Sequence, residues 1–195
     1  MAIVLNPISL KIKPAKLKLN CKNMKQQMKK EVELNVIPSE KSSEKDFNFL
    51  IGKWKIRNRK LNKRLANCDD WTEFEAKQEC RHILHGFGNQ DFFKAEFDGK
   101  PFEGMSLRLF DPKTKLWSIY WADSNAVVLQ VPQIGSFENG IGEFFARDNF
   151  EERSILVKFN WNATDEKSPV WSQAFSADEG KTWEWNWYMY FSRQS

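Results

Sequence analysis

Histidine occurs only twice in this 195-residue chain, and cysteine and tyrosine three times each. Cys21, Cys68 and Cys80 have neither the paired spacing of a zinc site nor the even count of a disulfide framework. Ordinary thiols in a reducing compartment are therefore expected. His82 and His85 flank Ile83-Leu84. Three apart in an extended segment, they face opposite ways and do not chelate one metal as a pair. The sequence has no Gly-x-Ser-x-Gly elbow, phosphate loop, His-Glu-x-x-His or dinucleotide fingerprint, which disfavours a nucleophilic or metal hydrolase. No apolar run approaches the roughly 18 residues of a membrane helix. The stretch Ala2 to Leu10 is interrupted by Asn6 and Pro7 and lacks the flanks of a secretory signal. A soluble, cytoplasmic protein is expected, with an organelle leader as the alternative.

Acidic residues are also missing from one region. Residues 1–30 contain eight Lys, no Arg and no acid. Of the 30 basic residues, 22 then remain to face 26 acidic ones, so the net charge of +4 turns to −4 beyond the leader. The high pI belongs to the leader. A nucleic-acid surface on the mildly acidic remainder is not expected, because phosphate backbones require a concentrated basic face. Ser39-Glu40-Lys41-Ser42-Ser43-Glu44-Lys45 reads as a solvated linker. It divides a basic, flexible extension (1–45) from a folded domain (46–195).

Bulky aromatics are plentiful, with 16 Phe and 9 Trp, enough for one core and too many for a disordered chain. From Asp46 onward, turn signals punctuate short alternating segments. Asp98-Gly99 and Asn139-Gly140 are two-residue hairpin loops, Asp111-Pro112-Lys113-Thr114 is a type I turn, and Asp178 to Lys181 closes the last hairpin. Ten strands are expected, at 53–60, 70–82, 89–97, 102–110, 115–123, 127–137 (broken near Pro132), 141–147, 153–161, 169–176 and 182–193. Short turns make successive strands antiparallel neighbours, and closure removes the exposed edges. The fold class is thus all-β, an up-and-down antiparallel barrel, with a two-sheet sandwich as its rival.

The last strand is the most informative. Trp183, Trp185, Trp187, Met189 and Phe191 alternate with Glu184, Asn186, Tyr188, Tyr190 and Ser192. A period of two places the first set on one face. Three indoles on one face need both burial and partners for their N–H groups, which suits the wall of a mixed cavity.

Gly52-Lys53-Trp54 opens the first strand and Arg193 ends the last. In a closed meander these strands are neighbours, so the guanidinium is expected on the Trp54 ring. This pairing resembles the calycin superfamily of lipocalin-like barrels. The blocks Arg108 to Asp123, Gly135 to Gly142 and Trp171 to Ser176 are similar to an uncharacterised bacterial lipocalin-like domain family, over about residues 46–194. The resemblance implies the barrel and no established reaction. Some calycin barrels bind haem through a histidine on a late strand. No His follows His85 here, and no cofactor is expected.

Ser176-Ala-Asp-Glu-Gly-Lys-Thr-Trp183 matches the Asp-box pattern of sialidase propellers. It occurs once and nothing repeats at blade spacing, so it reads as a stabilised turn around Asp178. Glu73, Glu75 and Glu79 share a face with Lys77 and Arg81, and such a mixed-sign row suits a solvated outer wall.

Parity then nominates the interior. Trp54, Asn58, Gln78, Arg108, Trp121, Trp171, Gln173, Trp185 and Trp187 are the candidate ligand-binding residues, mostly apolar with a few placed polar groups. The expected occupant is a small apolar or aromatic molecule. The alternative is a cofactor-free enzyme of isomerase, cyclase or decarboxylase type, with Asp123, Arg108 and His82 as its acid–base candidates.

Overall fold

The computed structural model describes residues 34–97 and 99–194; the Lys-rich leader, with Cys21, and Asp98 lie outside them. Ten strands follow in order: β1 (Gly52–Leu61), β2 (Trp71–Ile83), β3 (Gly88–Phe97), β4 (Lys100–Asp111), β5 (Leu116–Asp123), β6 (Gln133–Glu138), β7 (Ile141–Phe150), β8 (Arg153–Asn162), β9 (Val170–Ser176) and β10 (Glu184–Arg193). Each pairs antiparallel with its neighbours, and β1 pairs with β10, so the sheet closes into a lipocalin-like barrel. The sandwich reading is thereby excluded.

Period-two alternation sets the wall. Trp54, Ile56 and Asn58 point inward from β1, and Ala76, Gln78 and Cys80 from β2. Glu73, Glu75, Lys77, Glu79 and Arg81 are exposed, as expected of a solvated outer face. Arg57 and Glu73 make one of its ion pairs, at 3.6 Å. Arg108 lies on the inward face of β4 with Gly104, Ser106 and Phe110, a choice that parity alone leaves open.

One end of the barrel is plugged. Before β1 a short 3-10 turn, Asn48–Leu50, carries Phe49 and Leu50 into the core. Phe47 meets Trp117 and Phe137 edge-on, with centroids 5.0 and 4.9 Å away. Trp54 is fully buried above this floor, and its Nε1 donates to the Leu50 carbonyl at 2.7 Å. Gly52 has φ +114°, and a Cβ there would lie 2.8 Å from Arg193 Nη1. Both the backbone conformation and the close approach of Arg193 therefore require glycine.

Two segments differ from the sequence expectation. Ser39 to Asp46 is not a free linker. Ser39 N donates to Ser136 Oγ, Lys115 Nζ reaches the Glu40 carbonyl, and Trp117 Nε1 donates to Ser43 O and Asp46 Oδ2. Polar composition made the segment look solvated, but its polar groups are spent on the barrel end. Residues 127–132 are not a strand either. Val127 takes φ +53°, and β6 begins only at Gln133. β5 and β6 are joined at just three paired positions, Trp117 with Gly135, Ser118 with Ile134 and Ile119 with Gln133. Beyond them the 124–132 loop bridges the seam through Gln130 N donating to the Trp121 carbonyl.

Candidate functional site

The end opposite the plug opens into a cavity of about 600 Å³. Aromatic rings line much of its wall, Phe93, Phe102 and Trp121 on one side and Phe159, Trp161, Trp171, Phe175, Trp187 and Phe191 on the other. Trp171 meets Phe159 and Trp187 edge-on, at 4.9 and 5.6 Å between centroids. These T-shaped contacts fix the rings that face the void. Trp121 lies against Gly104, where any Cβ would sit 2.2 Å from its Cη2; only glycine lets that indole lie on the wall.

Of the residues nominated by parity, Gln78, Arg108, Trp121, Trp171, Gln173 and Trp187 line the cavity. Asn58 is buried behind it and accepts from Trp187 Nε1 at 3.0 Å, so it holds the indole in place. Trp54 belongs to the floor. Trp185 is a correction. β10 carries a bulge between Trp185 and Trp187: Trp185 pairs with Ala174 and Trp187 with the very next residue, Gln173. One extra residue reverses the side-chain alternation. Trp187 faces the cavity, while Trp185 stacks on Tyr188 outside, with Lys158 Nζ 6.0 Å from its ring. Trp183 is likewise outside, against Phe145. The extra residue, Asn186, is fully buried and accepts from Gln173 Nε2 at 2.8 Å.

Deep in the wall lies a charged network that sequence reasoning found only in half. Arg108 Nη1 forms an ion pair with Asp91 and donates to Asn89 Oδ1 at 3.0 Å. Arg108 is 3% exposed and Asp91 not at all. The guanidinium also lies 5.2 Å from the Phe47 ring and 5.8 Å from Trp161. Burial pushes the Cys80 thiol, beside Asn89, up to about 12, so it stays protonated. Asp91 and Asn89 follow the inward parity of Phe93 on β3, a signal that was available. Three buried polar atoms in the cavity-lining residues have no partner: Gln78 Nε2, Arg108 Nε and Gln133 Oε1. Orphans of this kind call for a bound polar group or water.

The acid–base candidates are not brought together. His82 is exposed and does not line the cavity. Asp123 does line the mouth. Burial raises its pKa, but hydrogen bonds from Ala126 N, Trp121 Nε1 and Asn125 N outweigh that and hold it below the usual range. It is an ionised, fully engaged carboxylate. Arg108 is tied to Asp91.

The mouth itself is ringed by Lys60, Arg64, Asn125, Leu129, Gln130, Val131, Asp148 and Phe150. Leu129 and Val131 are also largely exposed, as are Val127 and Val128 beside them. Lys60 was legible in the sequence, since it continues the inward series Trp54, Ile56, Asn58. Arg64 was not, because it lies in the loop after β1. The Asp-box turn is built as expected: Asp178 accepts from Ser176 Oγ, Thr182 N and Thr182 Oγ1, and these bonds hold its carboxyl down to about 2, led by that from Thr182 N.

No helix of the described residues is long and apolar enough to cross a membrane. No protein-family model and no curated protein matches the chain. Among solved structures it is similar to the S-type phycobiliprotein lyase CPES from Guillardia theta, with a TM-score of 0.57 and 9% identity. The match covers 80% of this chain and 94% of the lyase. At that identity the likeness shows the fold alone.

Proposed function

We propose that the barrel binds a small apolar or aromatic molecule in its interior. The observation that carries this reading is the cavity of about 600 Å³, plugged at one end, open at the other and walled by indoles and phenyl rings. Its size falls within the roughly 300–1,000 Å³ of small-molecule pockets. Gln78, Arg108, Trp121, Trp171, Gln173 and Trp187 are the contacting residues in this reading. Asn58 positions Trp187, and Trp54 closes the floor. The use of a barrel of this fold as a phycobiliprotein lyase supports interior binding only at the level of the fold.

We assign binding to residues 46–195, with 1–45 as a basic extension whose 39–45 stretch is bonded to the barrel end, and the cytoplasm as the compartment. Kinship with the uncharacterised bacterial lipocalin-like family rests on the sequence blocks named above. The alternative of a cofactor-free enzyme loses His82 to solvent and finds Asp123 already engaged.

Native mass spectrometry of the purified protein tests the binding reading, together with titration by the apolar fluorophore 1-aminoanthracene. A co-purified small molecule, or saturable fluorophore enhancement of one site per chain, is expected. An empty protein that takes up no fluorophore overturns the reading.

A further inference from the structure

The cavity mouth carries two cations, Lys60 and Arg64, with no carboxylate in ion-pair contact. Lys60 Nζ lies 4.2 Å from the Trp187 ring centroid, and Arg64 sits 5.4 Å from the Phe175 ring and 5.9 Å from Phe150. Among the described residues neither side chain has a hydrogen bond or an ion pair. Asp148 shares the mouth and accepts from Asn149 N, and the charges of Asp123 and Glu184 act on Lys60 and Arg64, respectively, in the direction opposite to burial. Asp123 accepts from Trp121 Nε1, Asn125 N and Ala126 N, and Glu184 Oε1 accepts from Leu65 N.

Lys60 and Arg64 are half-buried, and a cation partly withdrawn from water without a partner is costly. Burial lowers the pKa of both residues, and for Lys60 the adjacent Arg64 lowers it further. The aromatic rings fix the position of the two charges but do not neutralise them. Lys60 stands on the inward face of its strand. The mouth therefore holds two cations placed on aromatic rings, beside a cavity whose wall mixes aromatic and aliphatic side chains with polar ones such as Gln78, Ser106 and Gln173.

We propose that the occupant of this cavity is an amphiphile with one anionic end, an apolar or aromatic body terminating in a carboxylate that Lys60 and Arg64 bind at the mouth. The inference rests on the interior-binding reading and specifies it. The body packs among Phe93, Phe159, Trp171 and Trp187 further in, while the head group stays near water. One anion offsets both the desolvation of the two cations and their mutual repulsion.

Isothermal titration at pH 7 with two matched pairs of probes tests the proposal: dodecanoate against 1-dodecanol, and 2-naphthoate against 2-naphthalenemethanol. The wild type should bind at least one acid about tenfold or more tightly than its alcohol, the scale of a charge-assisted hydrogen bond. Lys60→Met and Arg64→Met should each erase most of that preference while leaving alcohol binding within about threefold. Lys60→Arg should retain the preference, and thermal unfolding should show every variant folded. Equal binding of acid and alcohol by the wild type, with saturable uptake of both, overturns the anionic end alone, as does a preference that survives both Met substitutions. Failure of all four probes to bind counts against interior binding itself, and against this inference with it.

Discussion

The Arg193 guanidinium lies 3.8 Å above the Trp54 ring and donates to the carbonyls of Ile51 and Phe49, at 2.5 and 2.7 Å. One side chain thereby joins the last strand to the first and to the plug beneath them. Trp54 and Arg193 are also direct register partners across β1 and β10. The contact is thus part of the barrel closure and not a surface accident.

Trp54→Ala should cost about 3–5 kcal/mol, the usual penalty for truncating a buried indole. Arg193→Ala should cost less, about 1–3 kcal/mol, from the lost cation–π contact and two carbonyls left without a donor. Urea denaturation of both variants checks the order. If the arginine variant proves as unstable as the tryptophan variant, the ring is not the main element of the floor.

Arg108 and Asp91 should behave as a unit. Removing either charge leaves the other buried without a counter-charge, with only Asn89 to accept from Arg108 or Ser106 N to donate to Asp91, so Arg108→Met or Asp91→Leu alone should lose about 3–5 kcal/mol. The double variant should be more stable than either single one, because no charge is then stranded. A double-mutant cycle by chemical denaturation reads the coupling. Additive losses would show that the two groups are independently solvated.

Trp187 and Trp185 differ by two positions and should report different surroundings. Saturating the cavity with 1-aminoanthracene should quench the intrinsic fluorescence of the wild type. Trp187→Phe should remove a substantial part of that response, while Trp185→Phe should leave the fractional quench unchanged. A larger effect at Trp185 would place the bulge in β10 elsewhere. Asn58→Ala should mimic Trp187→Phe in part, because the indole loses its acceptor.

The barrel was legible because closure follows from short turns and strict alternation, and both are written in residue order. Glu138 pairs with Ile141 around Asn139-Gly140, as that dipeptide demands. The site was legible only where alternation ran unbroken. Gln78, Trp171 and Gln173 lie on the cavity wall, as alternation places them, on strands without irregularity of their own. Trp185 was misplaced because the single-residue bulge at Asn186 has no local marker such as glycine. Asp91 escaped attention because an acid on an inward face reads as improbable until its partner, Arg108, is known to lie on the next strand. Arg64 and the 124–132 loop reach the mouth through loop paths that periodicity does not describe.

The pH dependence of stability isolates Lys60. Burial, and then Arg64, bring its pKa from 10.5 down to about 8, although Asp123 pulls the other way. Between about pH 8 and 10.5 the unfolded chain therefore holds a proton that the native chain has released. Wherever the unfolded state binds more protons, stability rises with pH. Below about pH 8 the native state bears the cost of a charge partly withdrawn from water. Lys60→Met removes that cost, so the variant should melt above the wild type at pH 7. The gap should close as pH approaches 10.5, where an unfolded lysine also begins to lose its proton. Comparing the two proteins at each pH cancels the titration of every other lysine and tyrosine. Saturating dodecanoate should narrow or reverse the gap at pH 7, because the ligand's carboxylate stabilises the charged lysine only in the wild type. A Lys60→Met variant that melts below the wild type at pH 7 without ligand would mean that this ammonium is already well solvated, and the mouth would lose its reason to select an anion.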